Sequence, residues 1–125
     1  MMRAVLIKEF GGPEQLYIGN HEKPNPGEGE LLVKVEATTL NRADTLQRKG
    51  AIPPVPGASE ILGLEAAGTI EAVGPNCGSW KVGDRVTGLL SGGGYAQYCL
   101  MHHEVAILVP ENFSLVKGNN TIIIF

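Results

Sequence analysis

ELLVKVEATTLNRADTLQRKG, residues 30–50, decides the fold. From Glu30 to Leu40 the side chains alternate, with Leu31, Val33, Val35 and Ala37 on one side and Leu32, Lys34 and Glu36 on the other. That is the period-2 pattern of a strand with one buried face. The pattern then changes. Asn41 is placed to cap a short helix, Ala43, Leu46 and Gln47 follow at helical spacing, and Gly50 is a C-terminal stop. A long strand running into one or two turns of helix is predicted.

On the N-terminal side, RAVLIK at 3–8 and Leu16-Tyr17-Ile18 flank the turn Phe10-Gly11-Gly12-Pro13 and read as a hairpin. His21 to Gly29 is a connecting loop, because Pro24 and Pro26 remove donors and fix φ. On the C-terminal side, Ala51 to Gly57 holds three prolines and is predicted to be an exposed or ligand-lining loop. Ile61 to Val73 reads as a strand interrupted by Gly63 and Gly68, glycines of the kind that mark a bulge or a close backbone approach. A turn at Gly74-Pro75-Asn76 and strands at 85–90, 95–101 and 105–109 follow. Many short strands and one weak helix predict a mainly β barrel or sandwich.

Composition narrows the function classes. The 125 residues are one domain in size. Ten Lys and Arg are scattered among thirteen Asp and Glu, for a net charge of -3, so there is no basic field for nucleic acid. The opening MMRAVLIKEFGG is too short in apolar residues for a signal or membrane segment, and a soluble, cytoplasmic protein is expected. Cys77 and Cys99 are in no CxxC pairing and read as free thiols. His102, His103 and Glu104 fall in a loop. Adjacent histidines on a strand point to opposite faces, so no metal site is assigned to them.

Between Leu40 and Gly68, Asn41, Asp44 and Glu65 bring polar groups close to Gly and Pro turns, and this is where chemistry is expected. The opening RAVLIKEFGGPE, the pair TLNRADTLQRKG and GLEAAGTIEAVG, and the later KVGDRV with GGGYAQY together resemble the N-terminal half of zinc-free medium-chain dehydrogenase/reductases, specifically the NADPH-dependent quinone oxidoreductases. The resemblance covers about residues 3 to 114. It implies a GroES-like, partly open β-barrel over 1–114, followed by a divergent tail at 115–125. It also implies a metal-free site, because Asn41 stands where zinc-dependent relatives begin the helix with Cys, and Leu64 where they carry His before the glutamate.

By the same resemblance NADPH is the cofactor and a quinone the substrate, with Asn41, Asp44, Ile52 and Glu65 on the cofactor side of the cleft. No residue is assigned as acid, base or nucleophile, since a quinone can draw its protons from water. Asp44 and Glu65 are read chiefly as structural carboxylates holding loop amides or Arg42, Arg48 or Lys49. Ile52 takes the place of an aromatic residue and offers only apolar contact.

Relatives continue from PEGLS into a Rossmann domain, whereas this chain reads PENFSLVKGNNTIIIF. Gly92 to Gly94 lead into a strand, so they do not present a helix N-terminus to phosphate. The expectation is a barrel that does not reduce quinones alone and is monomeric, because the usual dimer interface belongs to the other domain. Two alternatives stand beside it: a non-enzymatic barrel that binds a protein partner, and an unstable truncated isoform.

Overall fold

The computed structural model describes residues 1–53 and 56–110, together with the backbone of 123–124. Strand β1 (Met2–Ile7) and strand β2 (Leu16–His21) form the predicted hairpin, with Val5 opposite Ile18. Strand β3 (Glu30–Thr38) leads into helix α1 (Arg42–Arg48), and β4 (Glu65–Val73), β5 (Arg85–Leu89), β6 (Tyr98–His102), β7 (Ile107–Leu108) and β8 (Ile123–Ile124) complete the order. The larger sheet is antiparallel in the order β6-β3-β4-β5-β7, with β8 against the end of β3. Among the described residues it is not closed by hydrogen bonds. It curls enough that a Cβ built on Gly88 of β5 would lie 2.9 Å from the Met101 sulfur of β6, although β3 and β4 lie between the two in the sheet. The mainly β, partly open barrel is therefore present.

Strand β3 is central because it pairs with both β6 and β4 and its inward side chains are buried. Leu31, Val33 and Ala37 are fully buried, and Leu31 and Val33 make the main core with Val35, Ile70, Val86, Cys99 and Met101. A second cluster joins Met2 and Ala4 of β1 to Ile61, Leu62, Tyr95 and Ala96. The Ala4–Ala96 bridge and a hydrogen bond from Val5 N–H to the Tyr95 carbonyl at 2.8 Å tie the hairpin to the barrel.

Several boundaries differ from the sequence expectation, each for a local reason. Leu32 is buried although it lies on the polar side of β3, and Thr38 and Thr39 are both buried where alternation would expose one. Register shifts at Leu32/Val33 and between Val35 and Ala37 break the alternation. Strand β4 begins only at Glu65, because the backbone at Ile61, Leu62 and Gly63 bonds instead to the N–H groups of Gly93, Tyr95 and Gly94. For the same reason the strand predicted at 95–101 begins at Tyr98. His21 and His102 end strands instead of opening loops, and the strand expected over 105–109 narrows to Ile107–Leu108. Of the divergent tail at 115–125, only Ile123–Ile124 lie within the described residues.

The Gly68 reading, a close backbone approach, holds. A Cβ there would lie 2.0 Å from the Lys34 carbonyl oxygen, at the irregular stretch of β3.

Cys77 and Cys99 are free and buried. Burial alone pushes the Cys99 thiol up to about 12. A thiol whose pKa is raised in the fold stabilises the native state below the unfolded value and withdraws that stability as pH rises towards the folded value. Stability is therefore expected to fall between about pH 9 and pH 12 by on the order of 1 kcal/mol per unit from this group. A Cys99→Ala variant should show a shallower alkaline limb in urea melts, and neither thiol should react with a disulfide reagent until denaturant is added.

Candidate functional site

Asn41 is the N-cap of α1, in extended geometry at φ -127 and ψ 148. Asp44 at the third helical position completes a capping box. Its Oδ2 accepts from the Asn41 backbone N–H at 3.0 Å, and the Asn41 side chain faces the Asp44 N–H. That N–H bonds the Asn41 main-chain carbonyl at 3.0 Å. The helix ends at Gly50, whose φ of +81 only glycine adopts without strain. What α1 buries most deeply is this carboxylate, Asp44 being 5% exposed, and not an apolar stripe.

A second donor reaches the same oxygen from across the chain. The Tyr95 hydroxyl donates to Asp44 Oδ2 at 2.5 Å, and Tyr95 is itself 6% exposed. Burial, then the hydrogen bond to Asp44, pushes the Tyr95 hydroxyl well above its ordinary range. Asp44 Oδ1 is buried without a hydrogen-bond partner among the described residues. Tyr95 is aimed by the glycines before it. Gly93, Gly94 and Tyr95 give their N–H groups to the carbonyls of Ile61, Gly63 and Leu62 at 2.7, 3.1 and 2.9 Å. Gly63 has φ +112, and a Cβ on it would lie 2.6 Å from Gly94 Cα.

Glu65, at the start of β4, joins the group through a threonine. Thr39 Oγ1 donates to Glu65 Oε2 at 2.5 Å and accepts from Asn41 Nδ2 at 3.1 Å, while Thr38 Oγ1 donates to the Glu65 carbonyl at 2.6 Å. Asn41, Asp44 and Glu65 are thus one hydrogen-bonded unit. Ile52, 40% exposed on the bend beyond Gly50, stands outside it. Asp44 accepts from the Asn41 main-chain amide and the Tyr95 hydroxyl, and Glu65 from the Thr39 hydroxyl. Arg48 instead donates from Nε to the Gly11 carbonyl at 3.1 Å.

Tyr95 and Thr39 were not singled out from the sequence. A signal for Thr39 was present in the two consecutive threonines that close an alternating strand. Tyr95 carried none beyond its position after three glycines. Strand alternation does not separate the two histidine rings, because β6 ends at His102 and the chain turns. One ligand atom each from His102, His103 and Glu104 then comes within 4.8 Å of the others. His102 Nδ1 accepts the Glu104 N–H at 3.2 Å, and the three side chains are only partly buried or exposed. No metal is assigned.

Two surface grooves, of about 450 and 490 Å³, are lined by other residues. The first includes Pro56, Gly57 and Ser59, so part of the Pro-rich loop does face a groove. No helix among the described residues is long and apolar enough to cross a membrane.

Residues 27–111, most of the barrel and the whole Asn41–Tyr95 group, match the alcohol dehydrogenase GroES-like domain. The chain belongs to that family. The quinone oxidoreductase of Lama guanicoe is 39% identical over 120 residues, and the human one 38%. Each match takes in 94% of this chain and 36% of the relative. The chain therefore spans about a third of the length of the curated relatives it matches. Among solved structures, the human synaptic vesicle membrane protein VAT-1 homolog-like protein superposes with a TM-score of 0.84 at 32% identity, over 92% of this chain and 37% of that one. A mycobacterial protein solved complexed with NADPH superposes at 0.80 and 38% identity, over 91% and 34%.

Proposed function

We propose that this GroES-like barrel is the substrate-side wall of an NADPH-dependent quinone reductase, facing a nucleotide-binding domain across a metal-free cleft. The observation that carries the reading is the Asn41 carboxamide. It is half-buried at the junction of β3 and α1, and it is held by Thr39 and the capping box, in a domain whose relatives include quinone oxidoreductases. When bound, NADPH supplies a hydride, two electrons with one proton, and the quinone takes its second proton from water to become the hydroquinone. The barrel itself need only orient the acceptor and exclude solvent.

The residues fit the ring end of such a cofactor better than its phosphates. Asn41 offers a half-buried amide, whereas the N–H groups of Gly93 and Gly94 are already spent on backbone carbonyls and cannot cradle a pyrophosphate. NADPH fluorescence is therefore expected to change little when this chain is added at micromolar concentration, and tight binding would overturn that division of labour. The activity itself is checked by a chimera in which residues 3–114 replace the matching segment of a quinone oxidoreductase. It should reduce quinones with NADPH, and Asn41→Ala in it should lower kcat/KM by about tenfold, the loss of one oriented hydrogen bond in the transition state. A folded, NADPH-binding chimera with no reductase activity would sink the proposal.

A further inference from the structure

Asn41 could present either end of its carboxamide to the cleft, and proton counting in the group beneath it decides which. Glu65 as a carboxylate only accepts hydrogen bonds, and a threonine hydroxyl has a single proton. Because Thr39 gives that proton to Glu65 Oε2 at 2.5 Å, Thr39 Oγ1 can only accept from Asn41. The Asn41 atom at 3.1 Å from it must then be Nδ2 and not Oδ1. Thr39 is 2% exposed and Glu65 is half-buried, so water does not readily replace either partner. The other end of the amide is turned the opposite way, towards the backbone N–H of Asp44 in the capping box.

From this geometry we infer that Thr39, charged with direction by Glu65, is a positioning residue that fixes the Asn41 carboxamide so that its second Nδ2–H is offered outward. An outward donor favours ligands that present an acceptor oxygen over groups that present only an N–H. The inference deepens the quinone reductase reading and takes from it the location of the ligand, but the orientation itself is a property of this chain alone.

The test is NMR of the Asn41 side-chain amide in the unliganded chain. In the native protein the side-chain amide should be rigid, with a 15N order parameter close to that of ordered backbone, and its protons should exchange with solvent at least tenfold more slowly than those of an asparagine in the urea-unfolded chain. Thr39→Val, nearly the same shape, should abolish both signatures while backbone amide dispersion shows the barrel intact, and Thr39→Ser should restore them. If Thr39→Val fails to fold, Thr39→Ala serves in its place. A side-chain amide in the native chain as mobile and as fast to exchange with solvent as in the unfolded chain would overturn the inference, as would a folded Thr39→Val or Thr39→Ala variant with the amide still rigid. Neither outcome depends on NADPH. A locked amide in a barrel whose chimera is inactive would leave the orientation standing and the quinone reductase reading refuted.

Discussion

Gly68→Ala is expected to destabilise the chain by roughly 3 kcal/mol or more, enough to leave a domain of this size largely unfolded at ambient temperature. Gly68 lies in β4 between Val35 of β3 and Val86 of β5. An added Cβ would stand 2.0 Å from the Lys34 carbonyl oxygen and 2.8 Å from Val33 Cγ1. Backbone cannot move aside as a flexible side chain can, and here it is the backbone of the strand that carries the main core. Either the β3–β4 ladder opens or Val33 leaves its place, and both expose apolar surface. Gly78→Ala provides the comparison. Its φ is +64, but no atom lies within 4 Å of the added Cβ, so the loss should be only about 1 kcal/mol. Urea melts of the two variants check the difference, and equal midpoints would show that β3 and β4 are not in contact as described.

Tyr95→Phe should cost about 2 kcal/mol, the worth of a hydrogen bond to a charged partner, and lower the melting temperature by on the order of 10 °C. The ring's packing with Leu62 and Ala96 is kept, so the loss isolates the hydroxyl. Its removal leaves buried Asp44 with the Asn41 N–H as its remaining donor, and with an Oδ1 that already lacks a partner. The pH dependence separates this from a packing defect. The Tyr95 hydroxyl is pushed above its unfolded value of 10.0 by burial first and Asp44 second. A raised acid stabilises the fold below the unfolded pKa and loses that contribution as pH rises beyond it. The deficit of the variant relative to the native chain should therefore be full at neutral pH and shrink above about pH 10. A deficit constant through the alkaline range would mean that the hydroxyl makes no such bond.

These two variants also probe how the site is built. Asn41 and Asp44 were legible from local rules, since a cap residue, an acid at the third helical position and a glycine stop are all within one decade of sequence. Glu65 was legible only as a polar residue near a turn. Its partner Thr39 was hidden, because strand periodicity assigns one of two adjacent threonines to solvent, and the irregular register at Val35–Ala37 buries both. Tyr95 is fifty-one residues from Asp44, and nothing local predicts that a tyrosine will meet a particular carboxylate. The histidine pair is the opposite case. Side chains alternate along a strand, but β6 ends at His102, and the turn after it brings the two rings together.

By itself the sequence determined the strand at 30–38, the capped helix after it, the hairpin before it and the mainly β class, because each follows from short-range periodicity, capping and the backbone limits of Gly and Pro. The GroES-like assignment followed from collinear motifs and not from any of those patterns. The tertiary structure alone decided which partners the polar residues take. Asp44 is held by Tyr95 and Asn41 is aimed by Thr39 and Glu65 only because Gly63 and Gly94 allow two backbone segments to touch and Gly68 lets β4 lie against β3. Those contacts depend on the absence of a Cβ at sites whose neighbours are thirty residues away, and a one-dimensional pattern does not carry that information.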